Sequence, residues 1–438
     1  MRDRPRLAVG RQWLPFVGGK LGLAKGLSYL SVDPEDLDLH QVFPTTTSLG
    51  RLLGETEEFE PRAGGAGLGL EDATNRAMGE LLERYAALAY DGVGRIVASH
   101  RALRSRGHRP VRFRTLTLFR RQQLLSQGFP FTEFTRDTPV GWFEGTSLVD
   151  GSAIYVPGQL VSLRYVPGAD EVSSCFYSTS SGCALGTSVA GALIAGLLEC
   201  IERDAIMIRW YARLAPPKLD MDPADLLGRP LRIQSQGLQI RFHDLTVDGQ
   251  VPVVGVTCIE RTGRPCFFML GTAAGLGTSA AARKALIEAG QGRPFVKFLA
   301  NIGGAPLASE LFNDFNRNIR FHADPANAQY TEWFSENTRS STRYLPDVRA
   351  APDPDKLLGV LLDRCVSIGI TPIAFDMTTP EMADHGLFAC RVFVPELVPL
   401  CVPFAPFLGH PRLEEFVTAA RRDGSAACIP SWVPHPFA

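Results

Sequence analysis

A mixed α/β fold, with helices and mixed sheets organised around a repeated glycine-turn-plus-helix unit, is what this 438-residue sequence predicts. Three observations carry that reading. Apolar runs of strand length alternate with longer stretches of helical texture. Two segments superpose at a constant offset of 119 residues, and a partial third copy follows. The composition, 45% hydrophobic with 45 basic and 46 acidic side chains, is that of a large globular chain. Length alone allows two or three domains or one intertwined core. The near-zero net charge removes whole-protein attraction to nucleic acid or anionic membrane, so neither is expected as a partner.

The elements follow in chain order. Residues 1–63 mix glycine, proline and charge without sustained periodicity, and read as an N-terminal segment open to partner or substrate contact, with one short helix near Leu49–Leu53. Arg11 and Lys20 interrupt the apolar run that a secretory signal needs, so a cytoplasmic location is expected. From Gly64 the texture changes. GGAGLG leads into Leu70–Tyr90, a proline-free helix of about five turns. Ala153–Val156 and Gln159–Tyr165 read as strands, and Ser180–Leu214 as a second glycine turn and helix. Val251–Ile259 and Cys266–Gly271 are further apolar runs before a helix at Ala280–Gln291. Asp353 is a good N-cap and Pro354 suits a first helical position, which marks Pro354–Ser367 as helical. Thr371–Phe375 and Cys390–Val394 read as strands. The apolar stretch Val392–Gly409 holds four prolines and Glu396, so no membrane-spanning helix is expected there. Prolines at 430, 434 and 436 force the tail, residues 430–438, to be extended. Nine cysteines without a CxxC pair fit reduced thiols.

The repeat bears the chemistry. GGAGLGLEDATNRAMGELLERYA, from Gly64, lies over CALGTSVAGALIAGLLECIERDA, from Cys183, so that Glu80, Glu83 and Arg84 meet Glu199, Glu202 and Arg203. The third copy, GLGTSAAARKALIEAGQGR, brings Glu288, Gln291 and Arg293 near its end. Within a helix, positions i, i+3 and i+4 share a face, so each ExxER forms one charged cluster. A lone ExxER is most simply a solvated face with weak ion pairs. The second helix is apolar nearly all round before Glu199, the pattern of a buried helix, and buried carboxylates need counter-charges or metal. Two such helices brought together would converge four carboxylates and two guanidinium groups. Carboxylates suit Mg²⁺ and Arg forks suit phosphate, so the constellation points to a magnesium-nucleotide site. The glycine turns either present N–H groups to phosphate or simply let the helices pack closely.

Together, GELLERY at Gly79–Tyr85, SSGCALG and GLLECIERDA within Ser180–Ala205, KALIEAGQGR at Lys284–Arg293 and PHPFA at Pro434–Ala438 make residues 64–438 resemble the YcaO-domain ATP-dependent enzymes. GGAG, FDMTTPEM around Asp376 and PFLGHPRL resemble the azoline-forming members in particular. The resemblance implies a YcaO ATP-binding catalytic domain over residues 64–438. It implies ATP-dependent cyclodehydration of Cys, Ser or Thr in a ribosomal precursor peptide to thiazoline or oxazoline, through phosphorylation of the backbone amide oxygen. Its cofactors would be ATP and Mg²⁺. Glu80, Glu83, Glu199 and Glu202 are then the magnesium-binding acids and Arg84 and Arg203 support the phosphates. Lys284, Glu288 and Gln291 fall on the third nucleotide-contacting helix, and Ser181 is a further nucleotide contact. The tail residues Pro434, His435, Pro436 and Ala438 would point into the active site, with His435 either exchanging a proton or packing. Lys284 stands where Arg is usual, Gly191 where some members have an acid, and the chain ends in Ala438 rather than proline. The implied partners are a precursor peptide and an E1-like leader-binding protein, with a flavin dehydrogenase in the pathway and a homodimer also compatible. Thioamide or amidine formation, and a non-catalytic member that binds precursor or activates a partner, are the alternatives.

Overall fold

In a computed structural model, the residues described are 10–18, 22–31, 33–52, 63–92, 94–230, 237–249, 251–260, 267–301, 315–347, 353–425 and 433–436. Three sheets organise them. The first joins β1 (Ala24–Leu30), β2 (His40–Thr46) and β3 (Gly65–Gly67) in that order, all antiparallel. The second contains β4 (Ile96–Ser99), β5 (Pro139–Ser147), β6 (Ala153–Pro157) and β7 (Cys183–Gly186), and the third contains β8 (Lys218–Leu219), β9 (Leu238–Asp244), β10 (Val253–Glu260) and β11 (Phe267–Ala274). Late in the chain β12 (Ile373–Asp376) and β13 (Phe388–Phe393) return to the second sheet, giving the order β4-β5-β12-β13-β7 with β6 paired to β5. The mixed helix-and-sheet class expected from the sequence is the one formed.

The three sheets share a design. Each ends in an edge strand, β3, β7 or β11, that runs directly into a long helix: α1 (Leu70–Ala89), α2 (Val189–Tyr211) or α3 (Thr278–Asn301). The glycines Gly67, Gly186 and Gly275 hold equivalent places in these turns. A Cβ there would approach the backbone N of the residue six ahead, Ala73 at 2.9 Å, Ala192 at 2.7 Å and Ala281 at 2.9 Å, so only glycine lets the helix begin this close to its strand. That equivalence fixes the third copy at an offset of 89 residues from the second, which aligns Glu80 with Glu199 and Glu288, and Glu83 with Glu202 and Gln291. Each helix packs on its own strand and on the next unit's strand: α1 on β7, α2 on β11, α3 on β3. The three units thus close into a ring.

Packing explains where sequence patterns mislead. Gln159–Tyr165 is not a strand; Gly158–Val161 forms a helical turn, and Gln159 turns inward to donate to the Val172 carbonyl and accept from the Phe176 N–H. The third helix does not stop at Gln291 but runs through Pro294 to Asn301. Proline leaves the carbonyl four residues back without its helical donor, and the buried Gln41 side chain donates to that carbonyl, Gly290 O, at 3.3 Å. The boundary drawn at residue 63 falls between β2 and β3 of one sheet, paired Gln41 to Ala66 and Val42 to Gly65. Buried Arg293 reinforces this junction through ion pairs to Asp36 and Glu260. Later helices include α4 (Phe315–Ala323), α5 (Gln329–Ser335), α6 (Pro354–Ser367), capped by Asp353 as expected, and α7 (Pro411–Arg422). Arg412 of α7 grips buried Asp204 of α2 through Nε at 2.9 Å and Nη2 at 2.9 Å, while Val398 N–H donates to the same carboxylate. Among the described residues no helix is long and apolar enough to cross a membrane.

Candidate active site

The charged faces of α1, α2 and α3 converge, each acting on the others' carboxylates. On α1, Glu80 accepts from the Gly64 N–H at 2.8 Å and from Arg84 at 3.1 Å. On α2, Glu199 repeats this, accepting from the Gly182 N–H at 3.2 Å and from Arg203 at 3.1 Å. In both units, therefore, the first glutamate ties the turn to the arginine one helical turn later. Gly182 has φ of +82°, and a Cβ there would lie 2.1 Å from the Val392 carbonyl, so the donor to Glu199 has to be glycine. Arg203 also pairs with Glu202 at 3.2 Å, and the Thr272 hydroxyl of β11 donates to Glu202 at 2.6 Å. From α3, Lys284 lies 3.7 Å from Glu288, and Gln291 Nε2 lies beside Gly64.

Glu80, Glu83, Glu199 and Glu288 keep solvent contact while surrounded by protein, as groups lining a deep cleft do. Their electrostatics are shared across the helices. Burial pushes Glu83 well above the usual carboxylate range, Glu199 and Glu80 add to the rise, and Arg84 and Lys284 oppose it. Burial likewise raises Glu288 to about 7, with Glu202 and Glu199 adding and Lys284 and Arg203 opposing. For Arg203, burial alone would lower the pKa, but Glu202, Glu199 and Glu288 outweigh it and hold the charge in place.

Five carboxylates thus face three cationic side chains, an excess of negative charge that a divalent cation relieves. The donor set is all oxygen, which suits Mg²⁺, and the arginines suit phosphate. The acids are distributed over three helices: among the described residues no three metal-ligating side chains gather tightly enough to enclose an ion. A cation held there would need further ligands from phosphate and water.

Ser181 is buried beside Gly182, its hydroxyl accepting from Thr179 at 3.0 Å. The tail is docked over residues 433–436, all buried. Successive carbonyls are read by side chains: Val433 O accepts from Trp210 at 3.2 Å, Pro434 O from His322 at 3.1 Å, and His435 O from Asn318 at 2.7 Å. His435 donates from Nε2 to Cys401 O at 2.8 Å, and its pKa is drawn down to about 4 by burial, with Arg203 contributing. The ring is neutral near pH 7 and occupied as a packing and hydrogen-bonding group. Ala438 lies outside the described residues.

Sequence reasoning missed several groups. Thr272 sits just past the apolar run that was read as a strand, and a polar residue entering a glycine turn was its only signal. Arg391 is a lone charge in the apolar strand β13; it donates to Thr179 O at 2.6 Å and so holds the turn carrying Ser181. Asn318 and His322 carry no local signal at all.

Residues 64–398 match the YcaO family, described as YcaO cyclodehydratase, ATP- and Mg²⁺-binding. The chain belongs to that family, and ATP and Mg²⁺ are its cofactors. It is similar to an uncharacterised protein of Methanothermobacter thermautotrophicus, 28% identical over 158 residues, which are 35% of this chain and 40% of that protein. Among solved structures, a heterocyclase in complex with substrate and cofactor superposes with a TM-score of 0.71 at 19% identity, over 97% of this chain and 56% of that one. YcaO from Methanopyrus kandleri bound with AMPPCP and Mg²⁺ gives 0.57 at 19% identity, over 92% and 89%. The E. coli microcin synthetase McbBCD complex with pro-MccB17 bound gives 0.55 at 14% identity, over 85% and 88%. These likenesses establish the fold, and the chain spans only part of the first relative and of the heterocyclase.

Proposed function

We propose that this chain catalyses ATP-dependent cyclodehydration of Cys, Ser or Thr in a ribosomally made precursor peptide. The observation that carries the reading is the convergence of three glycine-turn helices on one acidic cleft, with a docked proline-rich tail on the second helix. The side-chain thiol or hydroxyl gives up its proton to solvent as it attacks the preceding carbonyl carbon, and the resulting oxyanion takes the γ-phosphoryl group of ATP, leaving ADP. Loss of phosphate, with departure of the amide proton, forms the C=N bond of the azoline. An amide oxygen is a poor leaving group until phosphorylated, which gives ATP its place in the reaction. When bound, Mg²⁺ neutralises phosphate charge and polarises the transferred group.

On this reading Glu80, Glu83, Glu199 and Glu202 hold the metal, and Arg84, Arg203 and Lys284 orient the phosphates. Glu288 and Gln291 complete the nucleotide contacts, with Ser181 beside them. Pro434, His435 and Pro436 shape the wall against which the substrate amide lies. The E. coli assembly with pro-MccB17 bound supports expecting a precursor peptide and partner proteins here too, and we take the partner to be an E1-like leader-binding protein. ATP turnover is expected to be slow for the isolated chain and to rise when both are added.

The test combines phosphate release with mass measurement of the precursor. Loss of one water per ring, coupled to ATP hydrolysis and absent in Glu199→Gln, is the expected result. Exchange of oxygen for sulfur would instead identify a thioamide-forming enzyme. Precursor binding with no hydrolysis would identify a non-catalytic member.

A further inference from the structure

A second charged cavity, of about 370 Å³, lies away from the acidic cleft and is lined by Arg209 of α2, Asp244, Arg339, Ser341, Thr342 and Arg343, among others. Three guanidinium groups meet one carboxylate there, and that carboxylate is engaged. Asp244 accepts from the Thr246 N–H at 3.0 Å and from the Ser341 hydroxyl at 2.8 Å. Arg209 donates to the Leu245 carbonyl at 3.3 Å and the Thr246 carbonyl at 2.8 Å, contacts that fix it without neutralising it. Burial draws its pKa down to about 10, repulsion from Arg343 and Arg339 adds to this, and Asp244 opposes it. Among the described residues the side chains of Arg339 and Arg343 make no ion pair or hydrogen bond.

The backbone that presents them is nonetheless pinned. Lys218 N–H donates to Arg339 O at 2.7 Å, Ser341 N–H donates to Lys218 O at 2.8 Å, and Arg343 N–H donates to the Ser341 hydroxyl at 3.1 Å. Gathering three cations on a fixed frame is unfavourable unless an anion takes up their field. Planar guanidinium forks beside hydroxyls are a donor set for oxyanions. We propose that this cavity is an oxyanion-binding site, distinct from the nucleotide cleft, for a ligand that carries phosphate or clustered carboxylates. Arg209 places it on the helix that also bears Glu199 and Glu202, two of the five acids.

The test uses the full chain with its cleft saturated by Mg²⁺ and a non-hydrolysable ATP analogue. Calorimetric titration with inorganic pyrophosphate forms one arm, and titration with a tetra-aspartate peptide forms the other. At least one probe should bind at one site per chain and weaken roughly tenfold or more in Arg339→Gln/Arg343→Gln, whose side chains are exposed and whose loss leaves the core intact. Binding of pyrophosphate alone identifies a phosphate ligand, and binding of the peptide alone identifies an acidic peptide. Arg343→Lys, which keeps the charge and loses the fork, should fall between wild type and the double variant. Failure of both probes at millimolar concentration, or equal binding by wild type and the double variant, overturns the proposal.

Discussion

The first and second charged helices carry the same ExxER signature and hold its second glutamate in different ways. Glu202 is buried, pairs with Arg203 at 3.2 Å and accepts from the Thr272 hydroxyl at 2.6 Å. Glu83, its counterpart, makes no hydrogen bond or ion pair among the described residues, and burial pushes its pKa well up. The ring of units explains the difference. Each helix leans on the next unit's edge strand, and at the offset of 89 residues the position equivalent to Thr272 is Cys183 on β7. The Cys183 thiol is itself raised to about 11 by burial, with Glu83 adding to the rise. A thiol is a weak donor where a hydroxyl is a good one. A repeat places two carboxylates alike, and the strand of the following unit decides which hydrogen bonds each one makes.

The largest effect that distinguishes the two sides is expected from the acids themselves. Glu202→Gln should lower magnesium-dependent ATP turnover by about a thousandfold with the fold intact, and Glu83→Gln by roughly ten- to a hundredfold, because only the former removes a carboxylate that Arg203 and the Thr272 hydroxyl already hold in place. Steady-state phosphate release with circular dichroism as the folding control measures both; equal losses would break the comparison. The second helix also carries the tail contact, through Trp210, whereas the first helix ends at Ala89, before any equivalent. Deleting His435–Ala438 should therefore slow ring formation by about a hundredfold while ATP affinity changes little, since the docked segment removes ordering cost from the substrate's wall and not from the nucleotide. Wild-type water loss from the precursor in the truncated chain would sink that assignment.

What could be read from the sequence was set by range. The helices and their charged faces were legible because an i, i+3, i+4 pattern and a glycine at fixed distance are local signals, and the apolar surroundings of Glu199 announced burial. The turn at Gly158–Val161 was not, since its apolar run fits a strand equally well until Gln159 finds Val172 and Phe176. The continuation of α3 past Pro294 depends on Gln41, 249 residues away in sequence from the carbonyl it satisfies. Thr272 was illegible for the same reason: its role exists only once β11 packs beneath α2.

That hydroxyl supplies a smaller effect that sharpens the comparison. Thr272→Val keeps the shape of the side chain and deletes the donor, which should weaken Mg²⁺ affinity about ten- to a hundredfold, the usual reach of a group that orients a metal ligand. Thr272→Ser should restore most of it. Calorimetric Mg²⁺ titration in the presence of a non-hydrolysable nucleotide reads this without turnover. Unchanged affinity in the valine variant would show that Arg203 alone orients Glu202.

The smallest effect is a pH dependence set by Glu288 and Glu83. Glu288 is raised to about 7 from 4.5, mainly by burial, and Glu83 is raised well above 4.5 for the same first reason. Between those limits the folded chain holds protons that the unfolded chain has released, so without Mg²⁺ stability is full below the unfolded value and declines as pH rises through about 7. Metal binding runs the other way, because its ligands must be ionised: Mg²⁺ affinity should rise by several-fold from about pH 6 to about pH 8, with proton release on binding. Glu288→Gln should remove the part of that slope centred near 7. Cys183→Ser should give Glu83 the hydroxyl that Glu202 already has, lowering its pKa and flattening the profile from the other side. Mg²⁺ titrations at the two pH values in buffers of different ionisation enthalpy count the protons, and thermal melts without metal test the opposing trend. A pH-independent affinity in wild type, or a serine variant with an unaltered profile, would show that the thiol at position 183 is not what sets Glu83 apart from Glu202.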